Sequence, residues 1–126
     1  MQRVLIIEDD DVFLNVMNIA LLRAGYTVMT ARNGIAGLSL CHQSPPDLVI
    51  TDISMPGKDG FEITSELRSR YPDMKIIAIS GETRFGVGDY LKMAIARGAN
   101  TGLAKPFTFE QLADSIQLVC DQLRMS

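Results

Sequence analysis

Apolar residues in this chain fall into short β-branched runs that alternate with longer stretches where they recur every three or four positions. The first run, Val4 to Ile7, stops abruptly at Glu8, Asp9, Asp10 and Asp11. A short apolar run bounded in this way predicts a buried strand. Phe13, Val16, Met17, Ala20 and Leu21 then repeat at helical spacing until Gly25, predicting an amphipathic helix with a glycine stop. Tyr26 to Thr30 predicts a second strand, and Asn33-Gly34 turns the chain into a short helix over Ile35 to Cys41. That helix is weakened by Gly37 and cannot pass Ser44-Pro45-Pro46.

Asp47 to Gly60 reads D-L-V-I-T-D-I-S-M-P-G-K-D-G, which predicts a third strand ending at Asp52, followed by a loop. Phe61, Ile63 and Leu67 mark a third helix that ends near Tyr71-Pro72, and Ile76 to Ile79 a fourth strand running into Ser80 and Gly81. Glu82 to Gly88 is polar and glycine-bearing, predicting a mobile loop, and Tyr90 to Arg97 predicts a fourth helix stopped by Gly98. Thr101 to Ala104 is a short fifth strand leading to Lys105-Pro106. Thr108 and Gln111 fit a capping box that opens a closing helix with Leu112, Ile116, Val119 and Leu123 as its buried stripe. Strands alternating with helices predict an α/β fold, with right-handed crossovers and a parallel sheet covered on both faces. No repeat or linker divides the chain, so one domain over residues 1–126 is expected. Spacing alone leaves the strand order open.

Composition narrows the class. With 126 residues and 47% of them apolar, the chain can bury a core without disulfide or metal staples. A net charge of -3 and scattered basic residues argue against direct contact with nucleic acid. Cys41 and Cys120 fall on helical apolar patterns and are expected as reduced thiols. Val4 to Ile7 is too short for a signal-peptide core, and the longest apolar passage, Val16 to Leu22, is broken by Asn18. No membrane span is therefore expected, and the cytoplasm is the expected location. The seven methionines are spread through apolar stripes and read as core filling.

In a parallel sheet every strand ends on one edge, where ligands bind. That edge would collect Glu8 and Asp9, with Asp10 as a further candidate, from the first strand, Asp52 from the third, Ser80 from the fourth and Lys105 from the fifth. Carboxylates at close range repel, and a hard divalent cation such as Mg2+, with Mn2+ as a substitute, resolves the repulsion. A lysine and a hydroxyl opposite could bind the remaining oxygens of a phosphoryl group, which points to phosphorylation of a carboxylate. Taken singly, each residue has a plainer reading: the acids as helix caps, Asp52 as a turn residue, Ser80 as a strand-end hydroxyl, Lys105 as a solvated cation. Their convergence at strand ends favours the chemical reading. Asp59 reads as a turn or cap, and His42 as the frayed end of the second helix, not a phosphorylation site.

V-L-I-I-E-D, D-I-S-M-P-G-K-D-G and G-A-N-T-G-L-A-K-P-F together resemble the receiver domains of two-component response regulators, over essentially the whole chain. The resemblance implies the flavodoxin-like strand order 2-1-3-4-5. It implies that Asp52 accepts a phosphoryl group from a partner histidine kinase or histidine phosphotransfer protein. Asp9 would be a direct Mg2+ ligand, Glu8 a neighbour acting through water, and the Ser54 backbone carbonyl a further ligand. Lys105 and Ser80 would hold the phosphoryl group, and the fourth helix, fifth strand and fifth helix would address a downstream protein or output domain. The chain departs from the family in Glu8, where Asp is commoner, in a longer segment between Ser80 and Gly98, and in Gly102, where many relatives carry a switch aromatic. Phe85 or Tyr90 could stand in for it, though packing is the plainer reading of both. Two other functions compete: a receiver-like scaffold uncoupled from phosphorylation, and a Mg2+-dependent phosphohydrolase, against which Ser54 supplies no second acid. Glu82 could influence self-dephosphorylation.

Overall fold

The computed structural model describes residues 2–54, 60–81 and 87–124. In chain order the elements are β1 (Arg3–Ile7), α1 (Asp11–Arg23), β2 (Thr27–Ala31), α2 (Gly34–Gln43) and β3 (Leu48–Asp52). They continue with α3 (Gly60–Arg70), β4 (Lys75–Ser80), α4 (Val87–Ala96), β5 (Thr101–Ala104) and α5 (Phe109–Arg124). The strands form one parallel sheet in the order β2-β1-β3-β4-β5. This is the flavodoxin-like order.

Strand residues alternate between the two faces of the sheet, so each strand feeds two core layers. Leu5, Ile7, Val49, Ile76 and Ala78 join Leu38 and Cys41 of α2, Ile63 and Leu67 of α3 and Ala94 of α4 on one face. Val4, Ile6, Leu48, Ile50, Ile77 and Ile79 join Leu14, Met17 and Leu21 of α1 and Leu112, Ile116 and Val119 of α5 on the other. Each fully buried aliphatic side chain contributes roughly 1.5–3 kcal/mol. Both thiols are free, Cys41 buried and Cys120 half-buried, and burial pushes the Cys41 thiol up to about 11. Among the described residues no helix is long and apolar enough to cross a membrane.

Several local expectations are corrected. Val16 does not belong to the buried stripe of α1: it is 62% exposed, and Leu14, Met17 and Leu21 face the sheet. The helix carries two apolar stripes, and periodicity does not say which one meets the sheet. Tyr26 lies before β2 rather than in it. Helix α4 begins at Val87, so Gly88, expected in the preceding loop, lies within it; one helical glycine costs about 1 kcal/mol, which the burial of Ala94 and the packing of Tyr90 and Leu91 on the core offset. Phe85, Glu82 and Asp59 lie outside the described residues.

Capping fixes the helix starts. Asp10 is the N-cap of α1 and accepts from Val12 N and Phe13 N at 3.0 and 3.2 Å, as the plainer reading of that acid predicted. Asn33 caps α2, and Thr108 and Gln111 exchange the reciprocal bonds of a capping box at 2.9 and 3.1 Å. His42 sits in the last turn of α2, with a ring nitrogen 2.7 Å from the Tyr71 hydroxyl. It is exposed but engaged, not frayed.

The far ends of α3 and α4 are tied by one side chain. Arg68 donates to Gly98 O at 2.9 Å, Pro72 O at 2.7 Å and Asn100 Oδ1 at 2.8 Å. Asn100 in turn pairs with the Ile76 backbone, accepting at its side chain and donating from its amide, each at 2.8 Å. Gly98 adopts φ +125° against the Arg68 side chain, a conformation and a closeness that exclude a Cβ.

Candidate functional site

The carboxyl edge of the sheet gathers the residues singled out by the sequence. Pairing of Ile7 with Thr51 places Glu8 and Asp52 side by side, while pairing of Ser80 with Ala104 brings the segment after β5 up to the end of β4. Backbone bonds continue the ladders past the strands: Glu8 N to Ala31 O, Ile53 N to Ile79 O and Lys105 N to Ser80 O, each 2.9 Å. The three functional side chains are thus held by fixed backbone.

Asp52, only 3% exposed, is bonded on both oxygens. Its Oδ1 accepts from Ser54 N at 2.8 Å and from the Ser54 hydroxyl at 2.7 Å. Its Oδ2 accepts from Lys105 Nζ at 2.8 Å, and the same ammonium donates to Glu8 Oε1. Glu8 is fully buried, and its Oε2 has no hydrogen-bond partner among the described residues. Asp9 is exposed, yet its carboxylate lies with those of Glu8 and Asp52 in a group whose oxygens are all within 4.8 Å of one another. Ser80 is the last residue of β4 and is fully buried, at the strand end where the sequence placed it.

Burial and the neighbouring carboxylate drive the ionisation apart. Desolvation, reinforced by the neighbouring Asp52 carboxylate, pushes the Glu8 carboxyl up to about 8. Burial alone would also raise Asp52, but the neighbouring Glu8 carboxyl and hydrogen bonds from Lys105 and Ser54 outweigh it and hold that carboxyl below its ordinary range. Burial opposes the charge of Lys105, yet its bonds to Asp52 and Glu8 win and raise its pKa. Two carboxylates with one lysine therefore share a proton as a coupled pair. The orphaned Glu8 oxygen and the all-oxygen donor set suit a hard cation such as Mg2+.

Three features of the site escaped sequence reasoning. Phe13, read as core, lies under Lys105 with its ring centroid 4.4 Å from Nζ. Phe107 meets that ring edge-on, with centroids 5.2 Å apart and planes at 86°. Ser54 was singled out for its carbonyl, whereas its amide and hydroxyl hold Asp52. Only the closeness of Phe107 to Lys105 in the K-P-F run hinted at any of this.

Residues 4–117 match the family model described as the response regulator receiver domain. The chain belongs to the response regulator receiver family. It is 28% identical over 116 residues to sporulation initiation phosphotransferase F of Bacillus subtilis, covering 92% of this chain and 91% of that protein. It is 35% identical over 114 residues to the DNA-binding dual master transcriptional regulator RpaA of Synechocystis, covering 89% of this chain but only 46% of the relative. The chain thus spans nearly all of one of these relatives and about half of the other. A receiver domain structure from Clostridium thermocellum superposes with TM-score 0.89 at 28% identity, over 99% of this chain and 98% of that one.

On the α4–β5 face a Cβ added to Gly102 would stand 2.9 and 3.0 Å from Leu91 Cδ2 and Cβ, so the Leu91 side chain occupies the ground that a side chain at that position would need. Tyr90 stacks on Phe61 with planes 3° apart and centroids at 5.8 Å. Phe61 follows Gly60, where a Cβ would run into Ile53 Cα and come within 2.9 Å of Asp52 O. Helix α3 is therefore rooted in the backbone that follows Asp52.

Proposed function

We propose that this receiver is a phosphorylation switch in which Asp52 takes a phosphoryl group from a phosphohistidine on a partner kinase or phosphotransfer protein. The observation that carries the reading is the double hold on Asp52, by Ser54 on Oδ1 and by Lys105 on Oδ2. An Asp52 oxygen attacks phosphorus, the O–P bond forms as the P–N bond breaks, and the imidazole leaves. Mg2+, held by Asp9, Asp52 and the Ser54 carbonyl with Glu8 behind it, would neutralise charge on the transferring group. Lys105 moves with that charge and contributes its ammonium to the new phosphoryl oxygens, and Ser80 offers its hydroxyl.

Phosphorylation is read out at the α4–β5–α5 surface by a downstream protein or output domain. It does so by shifting an equilibrium between two arrangements that a partner binds differently. The chain acts as a single receiver unit over residues 1–126, in the cytoplasm.

Incubation with Mg2+ and acetyl phosphate should add one phosphoryl group by intact-mass measurement, and Asp52→Asn should abolish the addition. Labelling that survives this substitution would move the acceptor elsewhere. Hydrogen exchange over residues 87–104 should change on phosphorylation, and an unchanged pattern would defeat the proposed readout surface.

A further inference from the structure

We propose that Phe13 is a positioning residue for Lys105, its ring face holding the ammonium at the place where it bridges Asp52 and Glu8. The inference rests on the reading of Asp52 as phosphoacceptor and names what readies the cation of that site. Lys105 Nζ lies 4.4 Å from the Phe13 ring centroid, within the range at which a cation is drawn to the negative face of a ring. The ring is itself fixed. Asp10 accepts from Phe13 N at 3.2 Å, setting the backbone in the first turn of α1, and Phe107 abuts the ring edge-on at 86°.

Lysine is a flexible side chain ending in a mobile point charge, and Asp52 and Glu8 compete for it from one side. A ring on another side restrains it without supplying a third anion, so the charge of the acidic cluster is unaltered. An aliphatic residue of similar size would fill the space but would present no quadrupole. The segment that delivers Lys105 also delivers Phe107 two residues later, so cation and supporting ring arrive together.

The test compares Phe13→Leu, which keeps apolar volume, with Phe13→Tyr, which keeps the ring. Two readouts are used: the initial rate of phosphorylation by acetyl phosphate with Mg2+, and the Lys105 ε-methylene signal in ¹H–¹³C spectra, assigned through Lys105→Arg. In the parent protein the ring current should displace that signal to low frequency. Phe13→Leu should remove the displacement and slow phosphorylation about two- to fivefold, while Phe13→Tyr should preserve both. An undisplaced Lys105 signal in the parent overturns the proposal, as does an equal loss of rate in both variants with the signal unmoved. A parent that accepts no phosphoryl group would defeat the phosphoacceptor reading, and the Lys105 displacement would still support or overturn the hold of the ring on the ammonium.

Discussion

The carboxyl edge around Asp52 and the face made by α4 and β5 are held together by different physics. At the edge, residues far apart in sequence meet through directional bonds: Lys105 to Asp52 and Glu8, Ser54 to Asp52. At the face, Leu91 fills the space left by Gly102 and Tyr90 lies flat on Phe61, contacts of shape in which no charged group takes part. Directional chemistry admits few residue types at each position. Packing admits many, provided the volumes are complementary.

The sharpest way to break this contrast is to remove the cation. Lys105→Met leaves Glu8 and Asp52 without their shared counter-charge, and phosphorylation by acetyl phosphate should slow on the order of a hundredfold, as for loss of a preorganised electrostatic donor. A loss of less than threefold in initial rate would mean that the edge depends on shape as the α4–β5 face does.

A second test uses pH in the absence of divalent cations. The Glu8 carboxyl is raised from 4.5 to about 8, so the folded state binds its proton more tightly than the unfolded chain does. Its contribution is fully present below pH 4.5 and lost as pH rises through about 8. Asp52, held below its ordinary 3.8, has the opposite sign: its contribution is present above that value and lost on acidification below it. The metal-free protein should therefore lose stability between pH 5 and pH 8, on the order of 3 kcal/mol by linkage, and saturating Mg2+ should remove most of that loss. Thermal melts at the two pH values, with and without Mg2+, check this; a flat metal-free profile would show that Glu8 is not desolvated as described.

The smallest effects compare two glycines. Gly60→Ala sets a Cβ against the backbone of Ile53 and Asp52, which cannot yield, and should destabilise by about 3 kcal/mol. Gly102→Ala meets the Leu91 side chain, whose Cδ2 can turn aside while its Cβ must give by a few tenths of an ångström with α4, and should cost about 1–2 kcal/mol. Denaturant unfolding measures both, and a double-mutant cycle with Leu91→Ala should reveal coupling for Gly102 but none for Gly60. Equal penalties would show that the α4–β5 face is as unyielding as the root of α3.

The same contrast explains what was legible beforehand. Apolar runs ending in acids announced the strands and the edge on which Glu8, Asp9, Asp52 and Lys105 converge, because a parallel sheet sends every strand end to one side. The strand order came only through the family resemblance, since periodicity is local and pairing is not. Val16 was misplaced for a related reason: helical spacing finds a stripe but not the surface it meets. The contacts of Leu91 with Gly102, Tyr90 with Phe61 and Phe13 with Lys105 each join residues from different elements, and no one-dimensional pattern marks them. The amide and hydroxyl bonds of Ser54 are local, yet a serine two places after an aspartate is too common to single out.

The clamp of Arg68 on Gly98 and Asn100 gives α4 a fulcrum. It fastens the turn just past the last residue of that helix, at the opposite end of the sheet from Asp52. A ten-residue helix is about 15 Å long, so a tilt of about 5° about the fastened end swings the other end by about 1.3 Å. An adjustment beside Phe61 thereby acts on the free arm of α4 through Tyr90, and removing the fulcrum by replacing Arg68 would let the helix shift as a whole without touching either the acidic edge or the stacked rings.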